Sequence, residues 1–174
     1  ARFTDDTVCT VAIADALVRG ADPQATLIEW CRRYAENGGW GKLFAEWFLG
    51  DNPRPYQSWG NGAAMRISPV GYLATSEEEA IAWSDPATMI THDHPEAVTA
   101  ARAVALAVYW GRKHVDSTEI ASRITDRFGY DLYKNRDLIT SELGFAVAIG
   151  FAAAFVTAFF VVRYLLDYIS RHGY

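Results

Sequence analysis

Residues 94–112 read "HPEAVTAARAVALAVYWGR", and this stretch decides the fold class. Pro95 suits the first position of a helix, where its missing N–H has no intrahelical partner to lose. Val98, Ala101, Ala105 and Val108 then fall on one helical face and can pack on a core. The same grammar extends outward in both directions. Downstream, "DSTEIASRITDRFG" is an amphipathic helix capped by Asp116 or Ser117 and ended by Gly129. Upstream, Ser76 and Glu79 stand at capping-box spacing ahead of another helix. "GDNPRPYQSWGNG" is a long proline- and glycine-rich loop, and Lys42 to Leu49 is a short aromatic helix before it. A helix from Pro23, capped by Asp22, carries Leu27, Ile28, Cys31 and Tyr34. A first helix from Asp5 to Val18 carries Val8, Val11, Ala12 and Leu17 and stops at Gly20. No segment shows convincing period-two alternation, so the expected fold is all-α.

The totals allow one domain with a substantial core: 174 residues, 51% of them hydrophobic. A net charge of −5 is the opposite of the basic balance that nucleic acid requires. Cys9 and Cys31 lie inside helical patterns without metal-ligand spacing and read as buried thiols, which points to a reducing, cytoplasmic setting; a disulfide is the alternative. Asp5 and Asp6 do not fit a secretory leader. Alanine at position 1 reads as a fragment or a processed product. Met65, Met89 and the tryptophans read as core, and Glu77 to Glu79 as a solvated helix start.

Gly144 to Val162 carry no charge, close to the ~20 apolar residues that span a bilayer. Ala146, Gly150, Ala154 and Ala158 repeat every four residues along one face, a spacing that admits a close helix partner. The expectation is a long helix over roughly 142–170 with membrane contact through 144–162. A fully apolar core helix is the alternative.

Three short stretches carry side chains capable of chemistry. "TDDT" places Thr4, Asp5, Asp6 and Thr7 at a helix start. Such oxygens cap a helix, and they also suit Mg²⁺ or Mn²⁺. Caps are commoner, yet two adjacent aspartates exceed what a cap needs. "SWGNGAAMR", 58–66, reads as a glycine-rich turn that lets backbone N–H groups approach a phosphate, or as a tight turn with a left-handed asparagine. "THDHPEAV", 91–98, brings His92 and His94 to spacing two, a ligand pair in a strand but a loop and cap ahead of a helix. No Ser-His-Asp signature, CxxC pair or P-loop occurs.

In this order, "FTDDT", "SWGNGAAMRISPVGYL", "THDHPEAVTAARAVALAVYWGR" and "FGYDL" resemble the ADP-ribosylglycohydrolase family over roughly residues 2–132. The resemblance implies an all-α domain over 1–132 and a pair of Mg²⁺ or Mn²⁺ ions. It implies hydrolysis of the glycosidic bond between ADP-ribose and an ADP-ribosylated protein or small molecule. It makes Asp5 and Asp6 the catalytic carboxylates and, with Thr4, the metal ligands. Gly60, Asn61, Gly62, Ala63, Ala64 and Met65 become the wall that holds ADP-ribose, and His92 the ligand-side histidine. The family pattern also has an upstream acidic residue and a closing "GGDTDT"-like motif, and no such motif occurs after residue 132. The expectation is weak metal binding and impaired hydrolysis by this chain. A non-catalytic helical module, an ADP-ribose-binding remnant or a membrane-anchored one, is the alternative.

Residues 130–174 resemble the C-terminal membrane region of undecaprenyl-diphosphate phosphatases. The two resemblances overlap at Tyr130, Asp131 and Leu132, and 133–174 reads as a linker and hydrophobic helix. That phosphatase's catalytic segments are not in this sequence, so lipid diphosphate hydrolysis is the least expected activity.

Overall fold

The computed structural model describes residues 4–37, 39–58 and 60–130, and the chain divides after Tyr130. The described part consists of helices: α1 (Asp5–Arg19), α2 (Pro23–Arg33), a single 3₁₀ turn (Ala35–Asn37), α3 (Lys42–Leu49), α4 (Gly62–Arg66), α5 (Ser68–Leu73), α6 (Glu77–Met89), α7 (Pro95–Arg112) and α8 (Ser117–Phe128). No strand occurs among the described residues. Residues 142–170, including 144–162 and the stripe Ala146, Gly150, Ala154 and Ala158, lie outside the described set. Among the described residues no helix is long and apolar enough to cross a membrane.

Local chemistry sets the helix ends. Asp22 Oδ1 accepts from the Ala25 amide at 2.7 Å, and Asp116 Oδ1 from the Thr118 amide at 2.8 Å. Ser76 Oγ accepts from the Glu79 amide at 3.2 Å, while the Glu79 carboxylate reaches back to Thr75 N and Oγ1 at 2.6 and 2.7 Å. The box therefore closes one residue earlier than the pattern implies. Gly20 and Gly129 end α1 and α8 in the left-handed region, at φ 62° and 71°.

Helix α7 is the axis of the described unit, packed by α4, α5, α6 and α8. Its buried face is built from Ala97, Ala101 and Ala105 with Ala103, Leu106 and Trp110. Val98 and Val108, expected there, are only half-buried. At the α5–α7 contact the missing side chain of Gly71 permits close approach: a Cβ there would stand 2.1 Å from the Ala105 carbonyl oxygen and 2.8 Å from Val108 Cβ. The buried face of α1 likewise turns from the expected stripe to Val8, Cys9, Ala12, Ile13 and Ala16, because Cys9 and Ala12 face α2 and α3 while Ile13 faces α5 to α7.

Helices α4 and α5 are not legible as helices in the sequence. They fill the stretch between the long loop and α6 and bury Ala63, Ile67 and Val70 completely. Met89 is 46% exposed rather than core; α6 buries Ala80, Ser84, Ala87 and Thr88, and Met89 points nearly half a turn away from the centre of that face. Glu77 is not simply solvated: its two oxygens accept from Trp110 Nε1 at 2.7 Å and Arg127 Nη1 at 2.8 Å, tying α6 to α7 and α8.

Candidate functional site

The N-terminus of α1 does not use Thr4 as a side-chain cap. Thr4 has extended backbone at the capping position, but its hydroxyl pairs with Thr7 Oγ1 at 3.2 Å and accepts from no amide. The capping interpretation thus loses its expected hydrogen bond. Asp5 and Asp6 stand in the first turn, where negative charge complements the helix dipole. Neither makes an ion pair among the described residues. Burial, and then the neighbouring Asp5 charge, hold the Asp6 carboxyl above its ordinary range.

The long loop is stapled to the segment after α6. The Gln57 amide donates to Asp93 Oδ1 at 2.6 Å, and the Tyr56 amide to the Thr91 carbonyl at 3.4 Å. Gln57 occupies the left-handed region at φ 52°, which is uncommon for a residue with a side chain. Asn61 does not: at φ −77° and ψ −5° it is right-handed, so the expected left-handed asparagine turn does not form. The chain instead goes straight from Asn61 into α4. Gly62 then lies against the His92 ring, with a Cβ there only 3.1 Å from Nε2.

His94 and His92 have separate jobs. His94 Nδ1 accepts from the Glu96 amide at 3.2 Å and starts α7. His92 is 4% exposed, and its Nδ1 is 2.6 Å from Thr91 Oγ1. Burial, and then the nearby Arg66 charge, lower its pKa to about 4, so the ring is neutral near pH 7.

Arg66 is the residue beneath this wall, 1% exposed. Its Nε and Nη2 donate to the Ala87 carbonyl at 3.3 and 3.0 Å, and Nη2 also to Thr91 Oγ1 at 2.8 Å. Ala87 is in the last turn of α6, whose carbonyls lack intrahelical donors. A buried cation without a carboxylate is tolerated there because it meets the negative end of the helix dipole.

These parts meet at one cleft of about 380 Å³. Asp5, Asn61, Gly62, Met65 and His92 border it, drawn from three distant stretches. Thr4, Asp6, Gly60 and Ala64 do not border it, and Ala63 is fully buried in the core. Sequence reasoning missed Lys42, Tyr56 and Arg66 as cleft residues. Arg66 alone had a local signal, an arginine closing a small-residue segment. Lys42 and Tyr56 had none, since only packing of α3 and the loop carries them here.

A divalent-metal pair would find hard oxygen donors of the right kind at Thr4, Asp5 and Asp6 but too few of them. Mg²⁺ takes six oxygen ligands in near-octahedral geometry, and among the described residues no group of three or more acidic, histidine or cysteine side chains converges. The described residues do not by themselves build a dinuclear centre.

A family model described as ADP-ribosylglycohydrolase matches residues 1–165, which extends past residue 132, where the motif resemblance ends. Curated relatives match a much smaller part. Undecaprenyl-diphosphatase 1 of Mesorhizobium japonicum is 66% identical over 47 residues, 27% of this chain and 18% of that protein. An undecaprenyl-diphosphatase of Cereibacter sphaeroides is 55% identical over 47 residues, with the same shares. The chain thus spans 18% of the length of these relatives.

Proposed function

Because this chain belongs to the ADP-ribosylglycohydrolase family, we propose that its cleft binds the ADP-ribose part of an ADP-ribosylated protein or small molecule. The observation that carries this reading is the convergence of Asp5, the Asn61–Gly62 turn and His92 on one cavity. Asp5 and Asp6 are the carboxylates nearest the chemistry, and with Thr4 they are the chain's share of a Mg²⁺ or Mn²⁺ site. Asn61, Gly62, Met65 and His92 form the ligand wall. Gly60, Ala63 and Ala64 support it as backbone. Cleavage of the glycosidic bond is the activity of this site in the family sense. The shortage of donors favours binding over turnover for the residues described, a non-catalytic reading of the same cleft.

Isothermal titration of the full chain with ADP-ribose, with and without Mg²⁺, tests the proposal. Saturable heat at submillimolar ligand, strengthened by the metal and reduced by Asn61→Ala, is expected. No heat at millimolar ADP-ribose rejects it. The apolar run 144–162 is a separate proposal, a membrane or helix-partner contact. It predicts that removing residues 140–174 abolishes sedimentation with vesicles, and a full chain that never sediments with vesicles defeats it. The matched part of the undecaprenyl-diphosphatases is too small to extend their activity to this chain.

A further inference from the structure

We infer that Thr91, held by Arg66, is a positioning residue that fixes His92 as the neutral Nε2–H tautomer, so that the cleft wall offers an N–H donor to an anionic oxygen of the ligand. The argument is one of hydrogen-bond capacity. A guanidinium only donates, so the 2.8 Å contact from Arg66 Nη2 uses a lone pair of Thr91 Oγ1. The hydroxyl has one proton of its own, and Thr91 is completely buried. The contact at 2.6 Å to His92 Nδ1 can run either way. If Nδ1 carried the proton, Oγ1 would accept twice and its own hydrogen would have no acceptor among the described residues. An orphaned buried hydroxyl costs roughly 1–3 kcal/mol. The Ala87 carbonyl, the other acceptor in this network, already takes two Arg66 N–H groups. Thr91 therefore donates to Nδ1, and the ring proton sits on Nε2.

The Nε2 side is the functional side. It makes no hydrogen bond among the described residues, and the ring borders the cleft. The missing side chain of Gly62 leaves it room, since a Cβ would sit 3.1 Å from Nε2 and 3.2 Å from Cε1. A neutral ring with a fixed N–H recognises an acceptor without changing charge near neutral pH. Given the functional reading above, on which only this clause rests, that acceptor is a diphosphate oxygen of ADP-ribose.

Arg66 is too deeply buried to replace safely, so the hydroxyl is the variable to change. Long-range ¹H–¹⁵N spectra of the full chain, with His92 assigned through His92→Gln, read the tautomer directly. At pH 7 a protonated-type shift at Nε2 and an unprotonated-type shift at Nδ1 are expected. Thr91→Ser keeps that signature; Thr91→Val, of equal shape but without the donor, converts His92 to a tautomer mixture. ADP-ribose affinity should fall about tenfold in Thr91→Val, the loss of roughly one hydrogen bond's worth of positioning, and stay within about twofold in Thr91→Ser. A proton on Nδ1 in the wild type, or an unchanged signature in Thr91→Val, overturns the inference. If the signatures behave as stated and no variant binds ADP-ribose, the positioning assignment stands and the functional reading alone fails.

Discussion

Gly71 and Gly111 are both helical glycines, and replacing each with alanine should move stability in opposite directions. Helix propensity favours both changes by up to about 1 kcal/mol. Gly111 lies in α7, where an added Cβ meets nothing within 4 Å, so that gain is kept. Gly71 lies in α5, where the Cβ would be 2.1 Å from the Ala105 carbonyl oxygen, 2.8 Å from Val108 Cβ and 3.0 Å from the Ala105 carbonyl carbon. Ordinary contact begins at 3.4 Å, so α5 and α7 must part by about 1.3 Å at their closest point. The obstacle is backbone and cannot rotate away. Parting the helices also loosens Ile67, Val70, Ala101 and Ala105, which form one core cluster. Overpacking usually costs about 1–3 kcal/mol, and a backbone obstacle belongs at the upper end; less the propensity gain of about 1 kcal/mol, the net loss is about 2 kcal/mol. With an unfolding entropy of about 2.1 cal/mol/K per residue over the unit Ala1–Tyr130, that lowers Tm by roughly 7 °C. Urea and thermal melts followed by far-UV circular dichroism measure both variants. A Gly71→Ala midpoint at or above wild type, or a Gly111→Ala midpoint that drops with it, would refute the packing argument.

Three further outcomes follow from the charges. Asp6 is raised by burial and by Asp5, so its charged form is disfavoured by folding and the penalty is complete above its folded pKa. Asp6→Asn should stabilise the metal-free chain at pH 7 by about 1 kcal/mol and lose any Mg²⁺-dependent rise in Tm; a less stable Asp6→Asn without divalent ions contradicts this. His92 has a pKa of about 4 in the fold against about 6.5 unfolded, so the unfolded chain binds the extra proton. Stability should fall as pH drops from 6.5 to 4, by about 3 kcal/mol from this group, and His92→Gln should flatten that part of the profile measured by urea melts. Trp110→Phe removes the N–H that reaches Glu77 at 2.7 Å and should cost about 1–2 kcal/mol; an unchanged urea midpoint would show that Arg127 satisfies Glu77 alone.

Much of the helical framework was readable because its signals are local. Asp22, Ser76, His94 and Asp116 cap the helices they precede, and Gly20 and Gly129 end theirs. Those signals act within one turn, so no distant residue can alter them much. Which face of each helix is buried was less readable. Alanine-rich α7 offers several equally apolar faces, and which of them is buried depends on how α4, α5, α6 and α8 pack around it. Short α4 and α5 had no capping signal, since Asn61 and Ile67 make no side-chain cap bonds.

The site divides in the same way. The sequence by itself determined which kinds of side chain were available: hard oxygens at Thr4, Asp5 and Asp6, a small-residue turn at Asn61 and Gly62, and a histidine at 92. Their order along the chain carried the family resemblance that the match over 1–165 bears out. Only the tertiary structure decided which of them meet. It brings Asp5, Gly62 and His92 to one cleft and sends Ala63 into the core. It also sets Arg66 and Thr91 behind the histidine. The physical reason is that a cap or a helix end is set by bonds a few residues long. A hydrogen-bond chain from Arg66 through Thr91 to His92 depends instead on how α4 packs beside the end of α6, and no local pattern encodes that.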